Sequence, residues 1–137
     1  MKVFLDTNVI VSAFGTRGLC ADLFRLVITR YELIVSELVP EEAKRVLLDK
    51  FGLSSEDVQR IEAFLRSFRV VPTPTDTSGL PLDRLQDEND RKILAAAIEA
   101  EADVFVTGDG DLLALADQMT RPRIMDPRGF LESMLSD

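Results

Sequence analysis

Residues 103–111 read DVFVTGDGD: the apolar run Val104-Phe105-Val106 closes on Thr107 and is followed at once by Gly108-Asp109-Gly110-Asp111. A short run of β-branched and aromatic residues bounded by glycines predicts a buried strand. The Gly-Asp-Gly-Asp that follows predicts a tight turn into a short helix. The chain opens in the same way, with Val3-Phe4-Leu5 stopped by Asp6-Thr7-Asn8, a strand handing over to helix-capping residues. Two buried strands thus each end in an aspartate at the point where a helix begins.

Outward from these two stretches, strands and helices alternate. A helical pattern after Asp6 runs to Arg30 with a break near Gly15 to Gly18, and Glu32 to Ser36 (ELIVS) is strand-like. Leu38 to Phe51 is helix-like, with Val39, Ala43, Val46 and Leu47 on one face and Gly52 as its stop. Ser54 or Ser55 opens a helix striped by Val58, Ile61, Phe64, Leu65 and Phe68, and Arg69 to Val71 forms a short strand. Pro72 to Pro81 has loop composition, Asp87 to Ala102 is a strong helix, and Ile124-Met125 is a last strand. Asp126-Pro127 then caps a terminal helix running through Phe130 and Leu135. Apolar strands alternating with amphipathic helices predict an α/β fold, a parallel sheet with helices on both faces. Ligands of such sheets sit beyond the carboxyl ends of the strands, where Asp6 and Asp109 stand.

Composition narrows the chemistry. The chain has 137 residues, a length suited to one domain over 1–137, and 46% of them are hydrophobic. It carries 16 Lys and Arg against 24 Asp and Glu, a net charge of −8, with no histidine and one cysteine. Histidine-dependent catalytic dyads, His-ligated zinc, Cys-based zinc and internal disulfides are therefore excluded. The acidic balance argues against a passive nucleic-acid coat, which carries a basic surface. Cys20, flanked by Leu19 and Ala21, reads as a small buried hydrophobe. No long apolar run or leader pattern is visible, so the expectation is a soluble cytoplasmic protein with no membrane association.

Acids are informative where apolar residues belong. On the helix after Asp87, Asp90 falls on the face of Ile93, Leu94 and Ala97, while Arg91 and Lys92 point away. On the helix after Leu38, Glu42 borders the stripe of Val39, Ala43 and Val46, and Glu41 projects to the far side. Each acid alone has a plain structural reading as a cap or first-turn residue. Together, Asp6, Glu42, Asp90 and Asp109 converge on one edge. Two unit charges about 4 Å apart repel by roughly 4 kcal/mol at an effective dielectric near 20, so such a cluster calls for cations. Oxygen ligands without His or Cys favour Mg²⁺ or Mn²⁺ over Zn²⁺.

These stretches carry a resemblance. VFLDTNV (3–9), residues 35–47 with Glu42, DENDRKILAAA (87–97) with Asp90, and FVTGDGDLL (105–113) resemble the successive motifs of the PIN-domain nucleases. The closing PRGFL (127–131) is similar to the tail of a branch of toxin components of toxin-antitoxin systems related to the VapC toxins. The resemblance implies a three-layer α/β/α fold with a central parallel sheet and Mg²⁺- or Mn²⁺-dependent ribonuclease activity. It implies Asp6, Glu42, Asp90 and Asp109 as metal-binding catalytic acids, with Asn8, Thr107 and Asp111 as accessory residues and Asp87 competing with Asp90 for the third place. Pro40 lies later than the proline that often opens this helix in relatives, so Glu42 over Glu41 rests on the face it occupies. An RNA substrate, a homodimer and an antitoxin partner are likewise implied, with Arg17, Arg91 and Arg128 the arginines near the same edge that are placed to meet RNA.

The chemistry expected is metal-assisted phosphodiester hydrolysis, with Asp111 or Thr107 orienting the attacking water. Rival readings fit less well. A receiver-like signalling domain wants paired acids after its first strand and a lysine after its fifth, yet Asp6-Thr7-Asn8 follows the first strand and no lysine occurs after Lys92. A haloacid-dehalogenase-type phosphatase wants Asp-x-Asp, and Asn8 replaces its second acid. An inactive PIN-like binding module is disfavoured by the presence of all four acids. Leu23, Phe24 and Val27 suit either core or interface, core being the simpler reading.

Overall fold

Five short strands form the centre of the molecule in the computed structural model, which describes residues 1–135. They are β1 (Lys2–Leu5), β2 (Glu32–Ser36), β3 (Arg69–Val71), β4 (Val104–Val106) and β5 (Arg123–Met125). All neighbours pair in parallel, in the order β3-β2-β1-β4-β5. Parallel neighbours need crossovers, and helices supply them: α1 (Thr7–Gly15) and α2 (Leu19–Arg30), α3 (Val39–Asp49) and α4 (Ser55–Arg66), then α5 (Glu88–Glu99) and α6 (Gly110–Leu113). The last helix, α7 (Pro127–Leu135), packs against α2. Right-handed crossovers set the helices between β1 and β3 on one face and α5, on the return crossing from β3 to β4, on the other. The result is the expected three-layer α/β/α arrangement.

The sheet is covered on both faces, which is why its strands read as unbroken apolar runs. Val3, Phe4 and Leu5 are fully buried, as are Phe105 and Val106. In register, Phe4 pairs with Ile34 on one side and Phe105 on the other, and the two rings stack with centroids 5.5 Å apart. Leu23, Phe24 and Val27 belong to this core. Cys20 is only half-buried and shares a hydrogen bond with Ser12, so it is less enclosed than its apolar neighbours suggest.

Element boundaries follow local chemistry. Ser54 caps α4 by accepting the Asp57 N–H at 3.1 Å, and Gly52 takes the left-handed φ of +65° that stops the chain after α3. The helix after Asp87 ends at Glu99, short of Ala102. Glu101, at φ +57°, turns the chain there, and the Ala102 N–H donates to the Ala97 carbonyl at 3.0 Å. A glutamate in the left-handed region leaves no glycine signal for the eye to find. The loop after β3 extends past Pro81 to Asp87 and is anchored by buried Leu82 and Leu85. The chain winds from β1 to β3, then crosses back to β4, so the sheet order reverses between β1 and β4. That reversal opens a crevice at the carboxyl ends of these two strands.

Candidate active site

Asp6 is the first residue beyond β1 and the N-cap of α1. Its N–H donates to the Val106 carbonyl at 3.0 Å, so its backbone is fastened to β4. Its Oδ1 accepts the Thr7 N–H at 2.8 Å, while Oδ2 accepts the Thr107 hydroxyl at 2.7 Å and the Asn8 amide at 3.3 Å. The residue is 5% exposed. Burial pushes its carboxyl above the usual range; the bonds from Thr107 and Thr7 oppose the rise, and the charges of Glu42 and Asp109 add to it.

Across the crevice, Thr107 and Asn8 tie the two strand ends together. The Thr107 Oγ accepts the Asp109 N–H at 3.0 Å, and Asn8 Oδ1 accepts the Gly108 N–H at 3.2 Å. Asp109 caps α6: its Oδ1 accepts the N–H groups of Asp111 and Leu112 at 2.8 and 3.2 Å. Its Oδ2 accepts no bond among the described residues. Capping and site placement therefore coexist in one residue, which holds the helix through Oδ1 and lines the cavity. Asp111, in the first turn of α6, is exposed.

Two helices from opposite layers complete the edge. Glu42 lies in the first turn of α3, half-buried, with Asn89 of α5 donating its amide to Oε2. Glu41 is exposed and bonds toward Glu62, as its position on the far face requires. Asp87 is the N-cap of α5 and accepts the Asp90 N–H at 3.0 Å. Asp90 itself is half-buried, and its carboxylate accepts no hydrogen bond among the described residues. Its pKa is pushed up to about 7, first by burial and then by the charges of Asp109, Asp87, Asp6 and Asp111.

One cavity of about 360 Å³ gathers these groups, a size typical of small-ligand sites at roughly 300–1,000 Å³. Asp6, Asn8, Glu42, Asp90 and Asp109 line it, while Thr107, Asp87 and Asp111 lie outside the lining and are tied by hydrogen bonds to Asp6, Asp90 and Asp109 respectively. Arg17, Arg91 and Arg128 do not line it. Arg17 is exposed between α1 and α2, Arg128 is exposed in the first turn of α7, and Arg91 turns its Nε to the Leu85 carbonyl, beside separate cavities at the loop after β3. The cation at the acidic cavity is Lys50, and Phe51 adjoins it. Lys50 and Asn89 are not among the residues expected at the site, and their signals in the sequence are slight: Glu42, Val46 and Lys50 follow one another at helical spacing of four, and Asn89 immediately precedes Asp90.

The donor set suits a hard divalent cation. It holds only oxygens, it is anionic, and its Asp90 is driven toward protonation first by burial and then by neighbouring negative charge, the second of which a cation would offset. The hydroxyl of Thr7, buried at the same cavity, also lacks a hydrogen-bond partner among the described residues. Among those residues, no three acids converge closely enough to hold an ion as their side chains stand.

Comparison with known proteins bears on the family and the fold. The sequence pattern of the family described as PIN domain matches residues 2–111. No curated protein matches the chain significantly in sequence. Three solved structures share its fold. A toxin-antitoxin complex from Klebsiella pneumoniae superposes with a TM-score of 0.68 at 18% identity, covering 91% of this chain and 97% of its own. VapBC2 from Rickettsia felis, bound to a DNA fragment from its promoter, gives 0.64 at 15% identity, covering 92% and 98%. PAE2754 from Pyrobaculum aerophilum gives 0.65 at 21% identity, covering 100% and 91%.

Proposed function

This chain belongs to the PIN-domain family, and from that premise we propose that it is a divalent-metal-dependent endoribonuclease, the toxin component of a toxin-antitoxin pair. The observation that carries the reading is the meeting of Asp6, Glu42, Asp90 and Asp109 in one cavity. They arrive there from two strand ends and from helices of opposite layers. Nothing in a structural role alone asks four acids to share a cavity with so few cations.

Asp6, Glu42, Asp90 and Asp109 would hold one or two Mg²⁺ or Mn²⁺ ions. Bound there, the metal supplies Lewis-acid polarisation of the scissile phosphate and lowers the pKa of water. The protein's own part is positioning. Thr107 and Asn8 fix the Asp6 carboxylate in rotation, Asn89 fixes Glu42, and Asp109 is held by the first turn of α6. Partners of this kind orient acidic ligands and sharpen their affinity. Thr107 already serves Asp6 and the Asp109 N–H. Exposed Asp111 is therefore the better placed of the two to orient an attacking water.

The assembly proposed is a homodimer inhibited by an antitoxin. The antitoxin partner is supported by two structural neighbours, toxin-antitoxin assemblies covered over almost their whole chain length. Among the described residues, no helix is long and apolar enough to cross a membrane.

The test is cleavage of mixed RNA by purified protein in Mn²⁺, Mg²⁺ or EDTA, beside Asp6→Asn. Cleavage in either metal, abolished by EDTA and by the substitution, is the expected result. Metal-independent cleavage or a fully active variant would sink the mechanism, and absence of any cleavage would favour a binding role. Growth arrest on expression, relieved by co-expressing an adjacent small gene, tests the toxin assignment.

A further inference from the structure

The cavity has a second wall that the hydrolytic chemistry does not use. It is formed by Val46 and Lys50, which follow Glu42 along the same face of α3, together with Val11 of α1 and Phe51. Phe51 follows the last turn of α3, 37% exposed, and the positive φ of Gly52 turns the chain away immediately after it.

This ring is unlike the others in the chain. Of eight phenylalanines, seven lie beside another aromatic ring: Phe4 with Phe105, Phe130 with Tyr31, and Phe14, Phe24, Phe64 and Phe68 in one cluster. Phe51 has no ring partner among the described residues. It is backed instead by a glycine. A Cβ at Gly15 would stand 2.6 to 2.9 Å from Cδ1, Cε1 and Cγ of the Phe51 ring, so only a residue without a side chain lets the ring lie against α1. A half-exposed aromatic, braced from behind at the rim of an anionic site, leaves a flat apolar surface toward the ligand.

We infer that Phe51 is a stacking platform for an unpaired nucleobase of the RNA, with Lys50 beside it to meet a flanking phosphate. The inference rests on the ribonuclease reading above. Aromatic rings bind single-stranded nucleic acid by stacking on base faces, a mode tolerant of sequence and unavailable to a base already stacked in a duplex. Phe51 thus acts on substrate class, selecting single-stranded segments. It takes no part in bond breaking. Gly15 is its positioning residue.

The chain contains no tryptophan, which gives the test its probe. Phe51→Trp introduces a single indole at the proposed contact. In Ca²⁺, a short oligoadenylate is expected to quench its emission, and an abasic ribose-phosphate oligomer of the same length is not. In cleavage assays with Mn²⁺, Phe51→Leu should raise KM by roughly 5- to 100-fold with kcat little changed, and Phe51→Tyr should restore it. Gly15→Ala, which displaces the ring without altering it, should move KM in the same direction. Equal emission changes with both oligomers, or an unchanged KM in Phe51→Leu, would overturn the stacking while leaving the nuclease intact. A wild-type protein that cleaves no RNA removes the ribonuclease reading and this inference with it.

Discussion

Thr107 donates its hydroxyl hydrogen to Asp6 Oδ2 across 2.7 Å, joining the carboxyl ends of two neighbouring strands from residues 101 positions apart. The same hydroxyl oxygen accepts the Asp109 N–H at 3.0 Å. One side chain thereby sets the spacing between two of the four acids. Thr107→Val keeps the shape and removes both bonds. Metal affinity, read by calorimetric titration, should fall roughly 10- to 100-fold, and stability by about 1 kcal/mol. Thr107→Ser should recover most of both, and a valine variant with unchanged affinity would deny Thr107 this role.

Asn89 bridges the helices on opposite faces of the sheet by its bond to Glu42. Asn89→Ala should weaken metal binding by roughly 10- to 100-fold, since Glu42 is then free to turn to solvent. Thermal unfolding should change little because both residues are only half-buried. Equal loss of affinity and of melting temperature would mark the contact as a packing device.

Two adjacent acids of α3 point to different sides of the helix. Glu42 lines the cavity and Glu41 is exposed on the other side of α3. Glu42→Gln should abolish measurable metal binding. Glu41→Gln should bind and cleave as the parent does, and the reverse pattern would move the site to the far face of the helix.

Stability without metal should depend on pH in an unusual direction. Asp90 is raised from 3.8 to about 7 in the folded chain by burial and by Asp109, Asp87, Asp6 and Asp111. The folded state therefore holds this proton more tightly than the unfolded state does. Its contribution to stability is complete below the unfolded pKa of 3.8 and is lost as pH rises through about 7. In EDTA, the melting temperature should decline over that window. Asp90→Asn should flatten the decline, and Mn²⁺ should raise stability most at the alkaline end. A slope identical in parent and variant would contradict the charge coupling. The effect should be modest, because Asp90 is partly open to solvent screening.

Much of this was legible in the chain. Val3 to Asn8 and Asp103 to Asp111 announce strands that end in aspartates because apolar runs and capping residues act through neighbours in sequence. The helical faces of α3 and α5 separate Glu42 from Glu41 and put Asp90 inward by rotation per residue alone. The end of α5 was not legible, because Glu101 adopts a left-handed turn without a glycine to signal it. The three arginines expected near the same edge do not line the cavity: Arg17 and Arg128 are exposed, and Arg91 turns to the Leu85 carbonyl, because rotation about a helix does not say how far a long side chain reaches.

Local pattern thus determined the alternation of strands and helices, the lack of histidine and thiol-cluster ligands, and which four acids face the cavity. These depend on periodicity, capping and composition, all carried within a few residues. Only the tertiary structure decided which strands are neighbours, and hence that Asp6 and Thr107 bond. It also brought Asn89 to Glu42 from the opposite layer, and laid the Phe51 ring against Gly15 of α1 at the cavity that the acids line. Those relations join residues tens of positions apart through sheet order and helix packing, and no local propensity encodes a contact whose partner lies on another element.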